Sequence, residues 1–517
     1  MGKRAVGVEK EIMDNGKNAV MNLQELIKTL PEANVTGNTD IEVRSLQFDS
    51  RQISQGDVFV ATRGTAVDGH LFIGKAIEAG AVACVCEQIP EDDQEKIPFV
   101  VVRNSQEALG RLASCFYGYP SRHLTLVGVT GTNGKTTIAT LLWKLTRAMG
   151  HKAGLLSTVC NYIEEEAVPA THTTPDAVVL NRLLRQMVDA GCEYCFMEVS
   201  SHAIAQGRIA GLDFNGAVFT NLTRDHIDFH KTFDNYRDTK KRFFDLLSKT
   251  ALTADGEQMP TFAVTNKDDK NGMVMVQNTR AAIHTYSTQS LADYQAAILE
   301  EGFDGMMLYI NRQEVFVPLV GRFNVSNLLA IYGTAVCLGF DAQEVLRILS
   351  TLRPVNGRFE TMHSRKGWTA IIDYAHTPDA VENVLKTIRE IVSTGALAQA
   401  SPKVIAVVGC GGNRDKGKRP MMASIAKQYA DQLILTSDNP RDEEPADILN
   451  DMLEGLNEQE KQATLVIEDR RQAILTACTI AQKNDVILIA GKGHEDYQII
   501  KGVKHHFDDH EEVKAMM

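Results

Sequence analysis

The run GVTGTNGKTT at 128–137 has the residue types and spacing of a phosphate cradle. A glycine-rich turn between a strand and a helix aims backbone N–H groups and the helix dipole at an anion. Gly131, Thr132, Asn133, Gly134, Lys135, Thr136 and Thr137 would form that cradle. Lys135 supplies charge for the outer phosphates, and Thr136 a hydroxyl for Mg²⁺. The common G-x-x-x-x-G-K-[ST] spacing wants glycine at position 129, where this chain carries Val129; its glycines fall at 128, 131 and 134. The loop therefore predicts ATP or GTP binding with a shifted glycine pattern. It does not say what the energy is used for.

Further polar clusters follow apolar runs that read as strands. Glu198, followed by Ser200, Ser201 and His202, ends one run, and Asn221, Arg224, Asp225 and His226 follow the next. Open α/β sheets place ligands at these strand ends. A carboxylate and an imidazole there suit a Mg²⁺ shell, though capping and turn roles fit Glu198 equally. His226 and His230 have the i, i+4 spacing of a zinc pair, without an evident third ligand. The segment YRDTKKRFFD at 236–245 reads as a solvated basic helix face. Late in the chain, SDNPRDEEP (437–445) sets Asp438 near Arg441, and GKGHEDYQ (491–498) follows the last strand. Acidic and guanidinium groups together suit a zwitterion, with carboxylate on arginine and ammonium on aspartate or glutamate.

Positioning such clusters takes several strand-helix units. Apolar runs at 57–61, 81–86 and 98–102, then at 124–127, 193–199, 216–223 and 315–320, then at 369–373, 403–409, 432–436 and 485–490, are separated by helical periods. This alternation predicts an α/β fold with largely parallel sheets. The 517 residues suffice for about three domains. We expect an N-terminal extension over 1–20, then domains over 21–123, 124–353 and 354–517. A formal charge of −12 gives no global basic field for nucleic acid. No apolar run approaches the ~18 residues of a membrane span. Nine cysteines, several within apolar runs, suggest reduced thiols and a cytoplasmic protein; the C-x-x-C pair Cys192 and Cys195 lies in a strand-like run and predicts no metal site.

Together, TGTNGKTT, EVSSHA (198–203), NLTRDHIDFH (221–230), GRFNVSN (321–327), NGRFE (356–360) and DYAHTPDA (373–380) resemble the Mur ligase family, whose members use ATP to add amino acids to the peptidoglycan precursor. DSR (49–51), THTTPD (171–176), GCGGNRDKGKRP (409–420), DNPR (438–441) and GKGHE (491–495) resemble the branch that adds the third peptide residue. The resemblance runs in order from about residue 22 to the end. It implies a UDP-binding N-terminal α/β domain, a central phosphate-loop ATPase and a Rossmann-like C-terminal domain. It also implies ATP with Mg²⁺, UDP-N-acetylmuramoyl-L-alanyl-D-glutamate and meso-2,6-diaminopimelate as small-molecule partners, with a monomeric chain.

By position, the resemblance assigns Ser50, Thr65, Ala66, Val67, Thr173, Thr174, Ser200, Gln206 and Arg208 to the UDP substrate. It assigns Gly131 to Thr137, Glu198, His226, Asn324, Arg358 and Asp373 to nucleotide and metal, and Arg414, Asp438, Asn439, Pro440, Arg441, Gly491 and Glu495 to the amino acid. The family pattern has asparagine where this chain carries His172. Lys240 matches the family's carbamylated lysine, so that Thr136, Glu198, His226 and Lys240 as its carbamate would hold metal; Lys135, Lys240, His226 and Glu198 would carry the chemistry. Arg441 favours diaminopimelate, because an arginine can grip the carboxylate that lysine lacks. The alternatives are L-lysine as substrate, a folylpolyglutamate synthetase, or a nucleotide switch without ligase chemistry. Lys135→Ala is expected to abolish turnover by removing charge stabilisation from the phosphates; unchanged phosphate release at saturating ATP would overturn that role.

Overall fold

The computed structural model describes residues 20–30, 32–64, 67–91, 96–394, 398 and 400–517. The strand-like runs become three main sheets. The first has the order Asn34–Thr36, Phe99–Val101, Ala83–Cys86, Asp57–Val60, Ser45–Gln47, parallel except for its first pair. Its central strands are buried along their whole length because both faces are covered. Val58, Val60, Val85 and Val100 pack on one face against the helix Ser105–Phe116, while Phe59, Cys84, Cys86 and Phe99 fill the other.

The second sheet has eleven strands, in the order Glu166–Val168, Asn161–Ile163, Ala153–Leu156, Tyr194–Glu198, Thr125–Thr130, Gly216–Phe219, Phe262–Asn266, Ala282–Ser287, Tyr294–Gly302, Gly305–Ile310, Gln313–Val317. The seven from Ala153–Leu156 to Tyr294–Gly302 are parallel, and antiparallel pairs extend the sheet at both edges. Those edge strands carry exposed positions, such as Gln313 and Glu314, and the apolar run at 315–320 covers only the end of the last of them. The helix after them is Arg322–Cys337. Register sets the site: Glu198 lies level with Val129 and Phe219 with Thr130, so Gly131, Val199 and Thr220 leave the sheet at one edge.

The third sheet runs Glu360–His363, Thr369–Asp373, Val486–Ala490, Val404–Cys410, Gln432–Ser437, Thr464–Val466, antiparallel only at its first pair. Asp373 and Val408 both pair with Ala490, and Cys410 with Ser437. Tyr374, Gly491, Gly411 and Asp438 therefore leave this sheet together. Cys192 and Cys195 form no disulfide. Cys195 lies in the strand Tyr194–Glu198, but Cys192 precedes it. Among the described residues, no helix is long and apolar enough to cross a membrane.

One buried ion pair fastens the third sheet's strand end. Arg470 donates through Nε and Nη2 to the two oxygens of Asp509, each at 2.7 Å, and both side chains are fully buried. Its Nη2 also donates to the carbonyl of Ala490, one residue before Gly491. Removing one partner leaves an uncompensated buried charge. Arg470→Met is expected to lower the stability of the C-terminal part by about 3–5 kcal/mol. Denaturant titration would check this, and a loss below about 1 kcal/mol would contradict it.

Candidate active site

The strand Thr125–Thr130 feeds the glycine loop, and the helix Lys135–Ala148 leaves it. Two glycines are required by their surroundings. Gly131 has φ +146° and a side chain there would lie 1.8 Å from Thr220 Oγ1; Gly134 has φ +88° and would meet Asn327 Oδ1 at 2.4 Å. Asn327 in turn donates to Asn324, which is buried and bonded to the carbonyl of Val320. Asn324 thus supports the loop from behind. The Lys135 ammonium folds over the loop onto the carbonyls of Gly131 (3.0 Å) and Thr132 (2.6 Å), and burial lowers its pKa.

A cavity of about 370 Å³ opens between this loop and the strand ends of the third sheet. Thr132 to Thr136, Thr173, Glu198, Ser200, His226, Lys240, Arg358, Arg414, Asp438, Asn439, Arg441, Gly491 and Glu495 all line it. Residues drawn from 132 to 495 thus share one chamber. At its floor Thr136 Oγ1 donates to Glu198 Oε1 at 2.9 Å, and the backbone N–H of Thr158 donates to the same oxygen. Arg358 reaches across to Thr136 Oγ1 (3.2 Å) and stacks on Tyr374. Asn133 Nδ2 donates to Asp379 at 2.9 Å, a second tie between loop and third sheet. Asp373 is buried behind the wall, its oxygens accepting the N–H groups of Phe359 and Ala375.

The solvated reading of 236–245 fails at Lys240. On the helix Phe233–Asp245, Tyr236, Lys240, Phe243 and Phe244 form a buried stripe. The i, i+4 spacing of Tyr236 and Lys240 and the following aromatic pair were the available signal. Lys240 Nζ donates to the Gly131 carbonyl at 2.8 Å, above the Tyr236 ring. Burial, reinforced by the Lys135 charge, holds its pKa well below the ordinary lysine value. His226 sits at positive φ beside Asp225, and loss of solvation pushes its pKa down to about 4, so the ring is neutral near pH 7. His202 packs edge-on to it and also lines the cavity.

At the far end, Asn439 donates to Glu495 Oε2 at 2.7 Å, and Arg441 Nη1 to the Gly412 carbonyl at 2.8 Å. A side chain at Gly411 would come within 2.8 Å of Arg441 Nη1, so glycine there leaves room for the guanidinium. Pro440 is not among the lining residues. Lys418 and His376, unassigned by sequence reasoning, also face the chamber and are joined by a bond from Lys418 Nζ to the His376 carbonyl. Nothing in their spacing distinguishes them from capping residues.

A second cavity, about 680 Å³, is lined by Ser50, Val67, Gln206 and Arg208 among others. Arg208 holds Gln206 through two bonds and donates to the Thr174 carbonyl at 2.6 Å. Thr174 Oγ1 then reaches the Glu198 carbonyl, and Thr173 bonds Thr158. These residues link the second cavity to the catalytic floor. Thr65 and Ala66 lie outside the described residues, as does the segment 1–19. His172 is exposed, its Nδ1 lying 3.2 Å from the hydroxyl of its neighbour Thr171.

A phosphate loop at one sheet edge, closed over by a second nucleotide-fold-like sheet carrying acidic and guanidinium groups, is the architecture of an ATP-driven ligase. The family models agree: the Mur ligase middle domain matches residues 129–335, the Mur ligase glutamate ligase domain 357–493, and the Mur ligase family catalytic domain 42–117. The chain belongs to the Mur ligase family. It is 58% identical over 496 residues, 96% of this chain and 99% of the relative, to the UDP-N-acetylmuramoyl-L-alanyl-D-glutamate--2,6-diaminopimelate ligase of Parabacteroides distasonis. The ligase of that name from Phocaeicola vulgatus is 56% identical with the same coverage. A solved structure of a ligase of that name matches with TM-score 0.65 and 33% identity, covering 96% of this chain and 98% of the other.

A lowered lysine pKa favours the neutral amine, the form that takes up CO₂. In labelled bicarbonate, Lys240 is expected to give a carbamate carbon signal by NMR that Lys240→Ala lacks. The alanine variant should lose activity by about 100-fold or more. An active alanine variant, or a wild-type protein without that signal, would refute the assignment.

Proposed function

We propose that this chain is an ATP-dependent amide ligase that joins meso-2,6-diaminopimelate to UDP-N-acetylmuramoyl-L-alanyl-D-glutamate in peptidoglycan precursor synthesis, within a cytoplasmic monomer. The observation that carries the reading is the single chamber joining Lys135 and Glu198 to Arg441 and Glu495. The near full-length similarity to ligases of that name supports it.

The substrate would enter with its UDP group in the cavity of Ser50, Val67, Gln206 and Arg208, and its peptide end beside Thr173 and Ser200. A γ-carboxylate oxygen of D-glutamate attacks the ATP γ-phosphorus, ADP leaves, and an acyl phosphate forms. Lys135 and Arg358 offset charge on the transferring group. The neutral diaminopimelate amine then attacks the acyl carbon, loses a proton and expels phosphate, leaving the amide. Water must be kept from the acyl phosphate, and the third sheet's closeness to the loop through Arg358 and Asn133 serves that purpose. The hydroxyl of Thr136 and carboxylate of Glu198 form an oxygen pair suited to Mg²⁺, with neutral His226 and a carbamate at Lys240 completing the residues that would hold it. Such an ion would neutralise phosphate charge.

Arg441 argues for diaminopimelate over lysine, since lysine would leave the guanidinium without its carboxylate. The deciding experiment is phosphate release with Mg-ATP and the UDP-muramyl dipeptide, comparing the two amino acids. Release with diaminopimelate alone is expected. Release with lysine would keep the ligase and overturn the specificity, and release indifferent to both would overturn the ligase. Arg441→Ala is expected to weaken diaminopimelate use by about 100-fold while leaving the ATP KM within about threefold. Equal losses for both substrates would count against it.

A further inference from the structure

Lys492 is fully buried in the turn after the strand Val486–Ala490, and none of the chemistry above uses it. Its Nζ lies 3.1 Å from Glu495 Oε2, 3.4 Å from Asn439 Oδ1 and 3.7 Å from Asp438 Oδ1. Asp438, Asn439 and Glu495 line the catalytic chamber, whereas Lys492 does not. The ammonium therefore stands behind two carboxylates, on their protein side. Glu495 Oε2 is held by Lys492 and by the Asn439 amide together. Asn439 is fixed in its turn, because its Oδ1 accepts the N–H of Ile499 at 2.9 Å.

We propose that Lys492 is the positioning residue of the amino-acid pocket: it bridges Asp438 and Glu495 from behind and fixes the pair as the receptor for the substrate's ammonium group. The inference rests on the ligase reading above. Two buried carboxylates sharing one pocket repel, and a cation placed between them offsets that repulsion. The balance is visible at Glu495, whose pKa is raised by burial and then by Asp438, while Lys492 and Asn439 pull it back. Other groups act on the pair. Arg441 and Arg358 line the same chamber, Arg470 lies within electrostatic reach of both carboxylates, and Tyr374 and Tyr497 are pushed up by burial. His494 is pushed down to about 3 by burial and stays neutral. Without Lys492, Glu495 loses one of the two groups that pull its pKa back down, so its carboxyl holds a proton to higher pH than in the wild type.

The test is Lys492→Gln in the full chain, with diaminopimelate and ATP varied separately. kcat/KM for diaminopimelate is expected to fall about 100-fold, mainly through KM, with the ATP KM within about threefold. The variant's deficit relative to wild type should shrink from about pH 7 to about pH 9, as the pair regains its second charge; the ratio cancels ionisation of the substrate amine. An unchanged KM for diaminopimelate, or a deficit equal at every pH, would overturn the proposal. If Lys492→Gln does not fold, Lys492→Gln with Glu495→Gln is compared against Glu495→Gln alone. The lysine acts through Glu495, so the two should agree within about threefold, and a further loss of about tenfold would overturn it. Wild-type protein without diaminopimelate-dependent turnover would overturn the ligase reading and this inference with it. An active wild type with an unaffected variant would overturn the inference alone.

Discussion

The carbonyl oxygen of Gly131 accepts hydrogen bonds from two ammonium groups, those of Lys135 and Lys240. Two like charges converging on one buried acceptor are stable only if something else offsets them. In this chain the offset comes from Glu198 and Asp225 nearby, and from the aromatic face of Tyr236. The same crowding readies each lysine for a different fate. Lys135 keeps a partly desolvated charge that phosphate oxygens can claim in place of backbone carbonyls. Lys240, more deeply buried, is driven toward the neutral amine. The glycine at 131 makes the convergence possible, since any side chain there would collide with Thr220.

That local arrangement requires exact agreement between distant strands. Glu198 reaches the loop because its strand pairs in register with Thr125–Thr130, and a slip of one residue would turn its carboxylate to the opposite face. The third sheet repeats the device, bringing Gly411, Asp438 and Gly491 out together. Two sets of strand ends, facing one another, make the chamber.

Much of this was legible in the sequence, and the reasons are uneven. The phosphate loop declares itself because phosphate binding needs small residues and a lysine at fixed positions. The central strands are legible because burial on both faces demands unbroken apolar runs. The edge hairpins between 294 and 317 are half-exposed, and the run read at 315–320 marks only the end of their last strand. Lys240 illustrates the opposite failure: its neighbours Arg237, Asp238, Thr239 and Lys241 are polar and less buried, and they disguise a buried position. Lys492 and Lys418 are harder still, because a lysine in a glycine-rich turn looks alike whether it meets solvent or a carboxylate. The UDP, nucleotide and amino-acid assignments came from resemblance, since contacts among residues hundreds of positions apart leave no local spacing to read.

The bonds from Arg358 to Thr136 and from Asn133 to Asp379 join the third sheet to groups that a bound nucleotide would also use. A nucleotide that replaced these bonds would couple occupancy of the loop to placement of that sheet. Linkage then requires reciprocity: by whatever factor nucleotide improves the hold on the amino acid, the amino acid must improve the hold on nucleotide. The two halves of the chamber, though built from separate sheets, would then have no independent affinities.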